Sequence, residues 1–172
     1  MVSVGEWVLL AYRVPREPST PRIAIWRKLK QLGVAQLGDG LVALPADART
    51  REQLDWAADD VVEAGGTASV WLARPASAAA EKDLAGQLAA ARAAEYAAVT
   101  AAARTAEDLT GAARAAAVRK LRGELRRIVR RDFFPPAERD TAQTAVRYLA
   151  DSGTDTAASA TPGRAEAARR PL

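Results

Sequence analysis

Val34-Ala35-Gln36-Leu37-Gly38-Asp39-Gly40-Leu41-Val42-Ala43-Leu44-Pro45 decides the fold. Two short apolar runs, Val34 to Leu37 and Leu41 to Leu44, flank Gly38-Asp39-Gly40. Asp-Gly accepts the positive φ angles of a tight turn, so the stretch predicts a β-hairpin. Pro45 ends it. Upstream, Ile23, Trp26, Leu29 and Lys30 recur at helical spacing, with Gly33 as a stop and Pro21 in the first turn behind a Thr20 cap. Further upstream, Trp7-Val8-Leu9-Leu10-Ala11-Tyr12 is a continuous apolar run that fits a buried strand. Pro15, Pro18 and Pro21 break the chain between strand and helix.

Downstream of the hairpin the same order repeats. Thr50, with Glu52 and Gln53 beyond it, starts a second helix whose apolar face is Leu54, Ala57, Ala58, Val61 and Val62. Gly65-Gly66 stops it, and Thr67 to Leu72 reads as a last strand. The expected fold class is therefore α+β: a ferredoxin-like βαββαβ domain over residues 1–75, its helices on one sheet face. The other face needs a cover or a partner.

After Ala76 the composition changes. Alanine dominates, and no proline occurs until Pro135. Helices are expected over about 77–104, with a stripe of Leu84, Leu88, Ala91, Glu95 and Val99, then over about 107–131 and 137–150. An Ala/Arg-rich helical region thus spans residues 76–150. Residues 151–172 lack core side chains and are expected to be a disordered tail.

Charge is unevenly placed. The chain has 25 basic and 21 acidic residues, net +4. Residues 1–75 balance at 9 against 9, and the excess falls in residues 76–132, at 11 basic against 7 acidic. Within it, Arg114, Arg119, Lys120, Arg122, Arg126, Arg127, Arg130 and Arg131 surround Val118, Leu121, Leu125 and Ile128. The apolar steps of 3, 4 and 3 make one packed stripe with basic flanks. Arginine suits bidentate contacts to phosphates and other oxyanions. Arg119, Lys120, Arg122, Arg126, Arg127, Arg130 and Arg131 are therefore the nucleic-acid-binding candidates. The plainer alternative is a solvated face whose arginine stems lie over apolar surface.

A second basic cluster follows the first strand. Arg13, Arg16, Arg22 and Arg27 gather near the first helix start, where a helix N-terminus favours anions. They are the oxyanion-binding candidates, against an ordinary charged loop. Trp26 reads as a core anchor of the helix.

Much chemistry is excluded. The chain has no cysteine and no histidine, so it lacks thiolate nucleophiles and the commonest metal ligand and neutral-pH base. Asp59, Asp60 and Glu63 form the nearest acidic group and read as a solvated face. No Gly-rich dinucleotide fingerprint is present. No enzyme, cofactor or metal is expected. No apolar run approaches the roughly 18 residues of a membrane span. Without a signal peptide, the chain is expected to be cytoplasmic.

Several segments together resemble a known family: W-V-L-L-A-Y-R-V-P-R-E-P from Trp7, W-R-K-L-K-Q-L-G from Trp26, L-G-D-G-L-V-A-L-P from Leu37, T-R-E-Q-L-D-W from Thr50, E-A-G-G from Glu63 and R-D-F-F-P from Arg131. In order and spacing they are similar to the N-terminal domain of the chromate resistance protein ChrB. The resemblance implies a role in chromate resistance beside an efflux transporter. It also implies chromate-responsive transcriptional regulation, with DNA and chromate or a similar oxyanion as partners. The expected core is also similar to small CRISPR-associated nucleases and to a domain of PaaX-type repressors. Those nucleases need an acidic metal ligand at the end of the first strand, where this chain has Tyr12-Arg13-Val14. The alternative function is an oxyanion-binding or dimerising interaction module without DNA binding. A homodimer fits either.

Overall fold

The computed structural model describes residues 5–158. Strand β1 (Trp7–Arg13) leads to helix α1 (Ser19–Leu32), the hairpin β2 (Ala35–Gly38) and β3 (Leu41–Pro45), helix α2 (Ala48–Glu63) and strand β4 (Thr67–Ala73). Three helices follow: α3 (Ala78–Thr105), α4 (Gly111–Val129) and α5 (Glu138–Ala158). The four strands form one sheet of order β2-β3-β1-β4 with every neighbouring pair antiparallel.

The hairpin turns where its sequence predicts. Gly38 pairs with Leu41, leaving Asp39-Gly40 as the loop, and Gly40 takes φ 73°. Alternation along the strands sends Val8, Leu10, Val42 and Leu44 to one face. There they pack against Ile25 and Leu29 of α1 and Leu54, Ala57 and Val61 of α2. Burying such side chains contributes about 1.5–3 kcal/mol each.

The opposite face is covered in part by the chain itself. Trp7, Ala35 and Ala43 pack against Leu84 and Leu88 of α3, with Phe134 stacked on Trp7 at 6.1 Å between ring centroids. The helical region is a three-helix bundle around Tyr96, Val99, Ala103, Val118, Leu121, Ile128, Ala142, Val146 and Leu149. Among the described residues no helix is long and apolar enough to cross a membrane.

Several boundaries differ from the sequence reading. Helix α1 starts at Ser19 behind Pro18, so Thr20 is not its cap and no side chain caps it. Pro21 is tolerated as the third helical residue because the first N–H groups have no intrahelical acceptor. Helix α2 starts at Ala48, not Thr50. Asp47 is its N-cap, accepting from the Thr50 N–H at 2.7 Å while the Thr50 hydroxyl accepts from the Asp47 N–H at 2.9 Å. That reciprocal box satisfies two donors at once, which a cap at Thr50 would not.

On α3 the buried stripe is Leu84, Leu88, Arg92, Tyr96, Val99 and Ala103, so Ala91 is outside it. Helix α4 begins at Gly111 rather than 107, after a turn at Ala106–Asp108. Helix α5 runs on to Ala158, so residues 151–158 of the expected disordered tail are helical. The rest of that tail, 159–172, lies outside the described residues.

Candidate functional site

A cleft of about 1010 Å³ opens where β1 ends. Arg13 is the last residue of β1, Arg16 sits in the proline loop, and Arg22 and Trp26 are one turn apart on α1. Asp39 and Gly40 of the hairpin and Gly65-Gly66-Thr67 before β4 close the other sides.

Two glycines allow this closure. A Cβ on Gly40 would strike the Tyr12 carbonyl, and one on Gly66 would strike the Arg13 carbonyl. Without side chains, both turns pack against the end of β1, where the Tyr12 N–H donates to the Gly40 carbonyl at 2.7 Å. The sequence order alone does not show this, because it depends on β1 lying between β3 and β4.

The electrostatics favour an anion. Arg13, Arg16 and Arg22 are exposed, and among the described residues no ion pair engages them. Among the described residues Asp39 is the one acidic side chain lining the cleft. Burial, and secondarily the Asp39 charge, push the Tyr12 phenol above its ordinary value, so it stays a neutral hydroxyl that can donate. Arg27, grouped with these arginines in the sequence, does not line the cleft. Five residues past Arg22 it is turned roughly 140° around the helix. Trp26 also differs from its reading: it is half-buried against the cleft, with the Lys30 ammonium 5.1 Å from its ring centroid.

The second basic surface is α4. Val118, Leu121 and Ile128 are buried, with Leu125 packed beside them. At roughly 100° per residue, Arg119, Lys120, Arg122, Arg126, Arg127 and Arg130 fill an arc of about 160° on the opposite side. All of them are exposed, and among the described residues none has an ion pair. Arg131 does not belong with them. Its guanidinium pairs with Glu95 of α3 at 3.0 Å. Arg114 is also engaged, donating to the Leu149 carbonyl at 2.9 Å.

The two surfaces lie at opposite ends of β1. The cleft is at its Arg13 end. The helical region docks at its Trp7 end, where Phe134 stacks, Arg49 donates to the Arg130 carbonyl at 2.7 Å, and Phe133 lies under the Arg49 guanidinium. Seven strand residues span about 20 Å.

Between them the sequence reading misses a buried polar junction. Arg92, 4% exposed, lies against Gly33 at the end of α1, pairs with Glu95 at 3.1 Å and donates to the Arg131 carbonyl at 3.5 Å. Burial lowers its guanidinium pKa, and Glu95 opposes that shift. Beside it the Tyr96 hydroxyl donates to Asp132 at 2.8 Å, and burial together with that carboxylate raises the phenol. The available signal was spacing: Arg92 stands four residues from both Leu88 and Tyr96.

A family model described as Protein ChrB, N-terminal, matches residues 22–114, more than half of the chain. The chain belongs to the ChrB N-terminal family. Membership associates it with chromate resistance. The ChrB match runs from α1 into the start of α4, so it includes Arg22 and Arg92 but neither Arg13 and Arg16 nor the basic arc from Arg119. No curated protein and no solved structure matches the chain at a significant level.

Proposed function

We propose that this ChrB-family chain is a chromate-responsive DNA-binding regulator that binds and does not catalyse. The observation that carries the reading is the cleft at the end of β1, with three unpaired arginines facing one carboxylate. Guanidinium forks and a neutral phenol are donors suited to a tetrahedral dianion. The α4 arc supplies the cations for DNA phosphates, contacts that position a protein without reading sequence. Supporting a non-catalytic role, Arg13 ends β1 where the similar nucleases need an acid, and the chain has neither histidine nor cysteine. A ferredoxin-like reading of the sheet layer belongs to the same proposal. The βαββαβ order, with β1 between β3 and β4, supports it.

A mechanical link between the two surfaces belongs to the same proposal. Helix α1 is a rod of about 21 Å at 1.5 Å per residue. Its Arg22–Trp26 turn lines the cleft, and Gly33 at its other end contacts Arg92, which bonds the Arg131 carbonyl just beyond α4. A shift of α1 on anion binding would reach α4 through that junction.

Calorimetry with chromate tests the cleft. Replacing Arg13 and Arg16 together with alanine is expected to weaken binding by at least about 150-fold, at roughly 1.5–3 kcal/mol per lost charged hydrogen bond. Both side chains are exposed, so the fold should be unaffected. Unchanged affinity would remove the cleft from the account.

A further inference from the structure

We infer that the free edge of β4 pairs with the β4 edge of a second copy, making one continuous sheet across a two-fold axis. The inference stands apart from the anion cleft and rests on the sheet edge and the helix above it. Strand β4 is an end strand. The Tyr12 N–H points to β3, where Gly40 accepts it, so the even residues of β1 face β3 and the odd residues face β4. In the β1–β4 register, Leu9 meets Trp71 and Ala11 meets Ser69, so the odd residues of β4 bond to β1. Ala68, Val70 and Leu72 therefore turn their N–H and C=O groups outward, and among the described residues no other backbone group bonds them.

This edge is self-complementary. Two antiparallel copies centred on Val70 place Val70 opposite Val70, Ala68 opposite Leu72 and Ser69 opposite Trp71. Each outward residue then donates one bond and accepts one, the pattern of a hydrogen-bonded antiparallel ladder. Proteins usually block such edges with charge, proline or a bulge. The β2 edge is short and carries a register irregularity at Gln36/Gly38. The β4 edge reads Thr-Ala-Ser-Val-Trp-Leu-Ala, with no charge and no proline, and it leaves Trp71 61% and Leu72 52% exposed.

The layer above the edge also fits a second copy. Helix α2 lies over both β1 and β4. With strands about 4.8 Å apart, two copies of α2 across the new pair come about two strand spacings apart, close to 9.6 Å. That falls within the 8–10 Å of packed helices. Asp60 reaches Lys28 of α1, so the side of α2 away from it faces the β4 edge. That side carries Arg51, Asp55, Ala58 and Val62, with Arg51 and Asp55 paired to each other and Val62 58% exposed. A contact between identical chains of net charge +4 is least opposed where neither surface carries net charge, and this surface meets that condition.

Sedimentation of the full chain from submicromolar to submillimolar concentration, with amide exchange on the same samples, tests the inference. A dimer is expected whose Ala68, Val70 and Leu72 amides gain protection as it forms. Trp71→Lys/Leu72→Lys, at side chains exposed in the single chain, is expected to sediment as a monomer with unchanged circular dichroism. A wild type that stays monomeric would overturn the inference. So would a dimer with unprotected amides at these three positions, or protection already complete in the monomer.

Discussion

Reversing Arg122, Arg126 and Arg130 to glutamate is expected to remove most of the salt-sensitive part of DNA binding. The three side chains lie with Arg119 within about 80° of the exposed arc of α4, over about 16 Å of helix. Four phosphate contacts give a slope near −3.6 in log affinity against log salt. That corresponds to a loss of about a hundredfold between about 50 and about 200 mM salt. Each lost contact lowers the slope by about 0.9, so the triple variant should lose about three quarters of it. Reversal also places repelling charges against the phosphates, so the affinity loss at low salt should exceed a hundredfold on the same scale. The bundle core lies on the other side of α4, with Val118, Leu121 and Ile128 buried, so circular dichroism should not change. Filter binding across a salt series decides the matter. A variant that binds with the wild-type slope would show that α4 is only a solvated helix face.

Arg92→Met is expected to destabilise the chain by about 3 kcal/mol, since removing one partner of a buried charged contact carries a penalty of that order. Methionine keeps the length of the stem but loses the bonds to Glu95 and to the Arg131 carbonyl. It also removes the cation from the end of α1, where the helix dipole favours positive charge. Glu95 is then left with Arg131 alone. For a chain of this size the melting temperature should fall by about 6–12 °C. Arg27→Met, on the exposed side of α1, serves as the control and should change little. If the two variants melt together, the junction does not hold the sheet layer to the bundle. In the proposed mechanism Arg92→Met should also weaken the effect of chromate on DNA binding while leaving chromate affinity near wild type.

The sheet layer was legible because each element carries its own punctuation. The Asp39-Gly40 turn, the Gly33 stop and the Gly65-Gly66 break are local signals, and the strands between them are dense in large apolar residues. The helical region offers few such signals. Alanine favours helix at every position, so it marks neither the end of α3 nor the start of α4, and α5 continues through Ser152 and Gly153 despite their turn-like character. The basic stripe of α4 was legible from the 3, 4 and 3 spacing of its apolar residues. The exclusion of Arg131 was not, because its partner Glu95 lies 36 residues earlier. Arg92 was hidden for a related reason. A charged side chain in an alanine helix reads as surface until the end of α1 and the Arg131 carbonyl are brought to it. For the cleft, the chain proximity of Arg13, Arg16 and Arg22 was visible, whereas its closure by Gly40 and Gly66 depends on strand order.

Titration of the purified chain onto its own upstream DNA and onto an unrelated duplex, at two salt concentrations, with and without chromate, tests the regulator reading most directly. Tighter binding to its own DNA, released by chromate, is the predicted result. Equal binding to both duplexes that chromate leaves unchanged would contradict it.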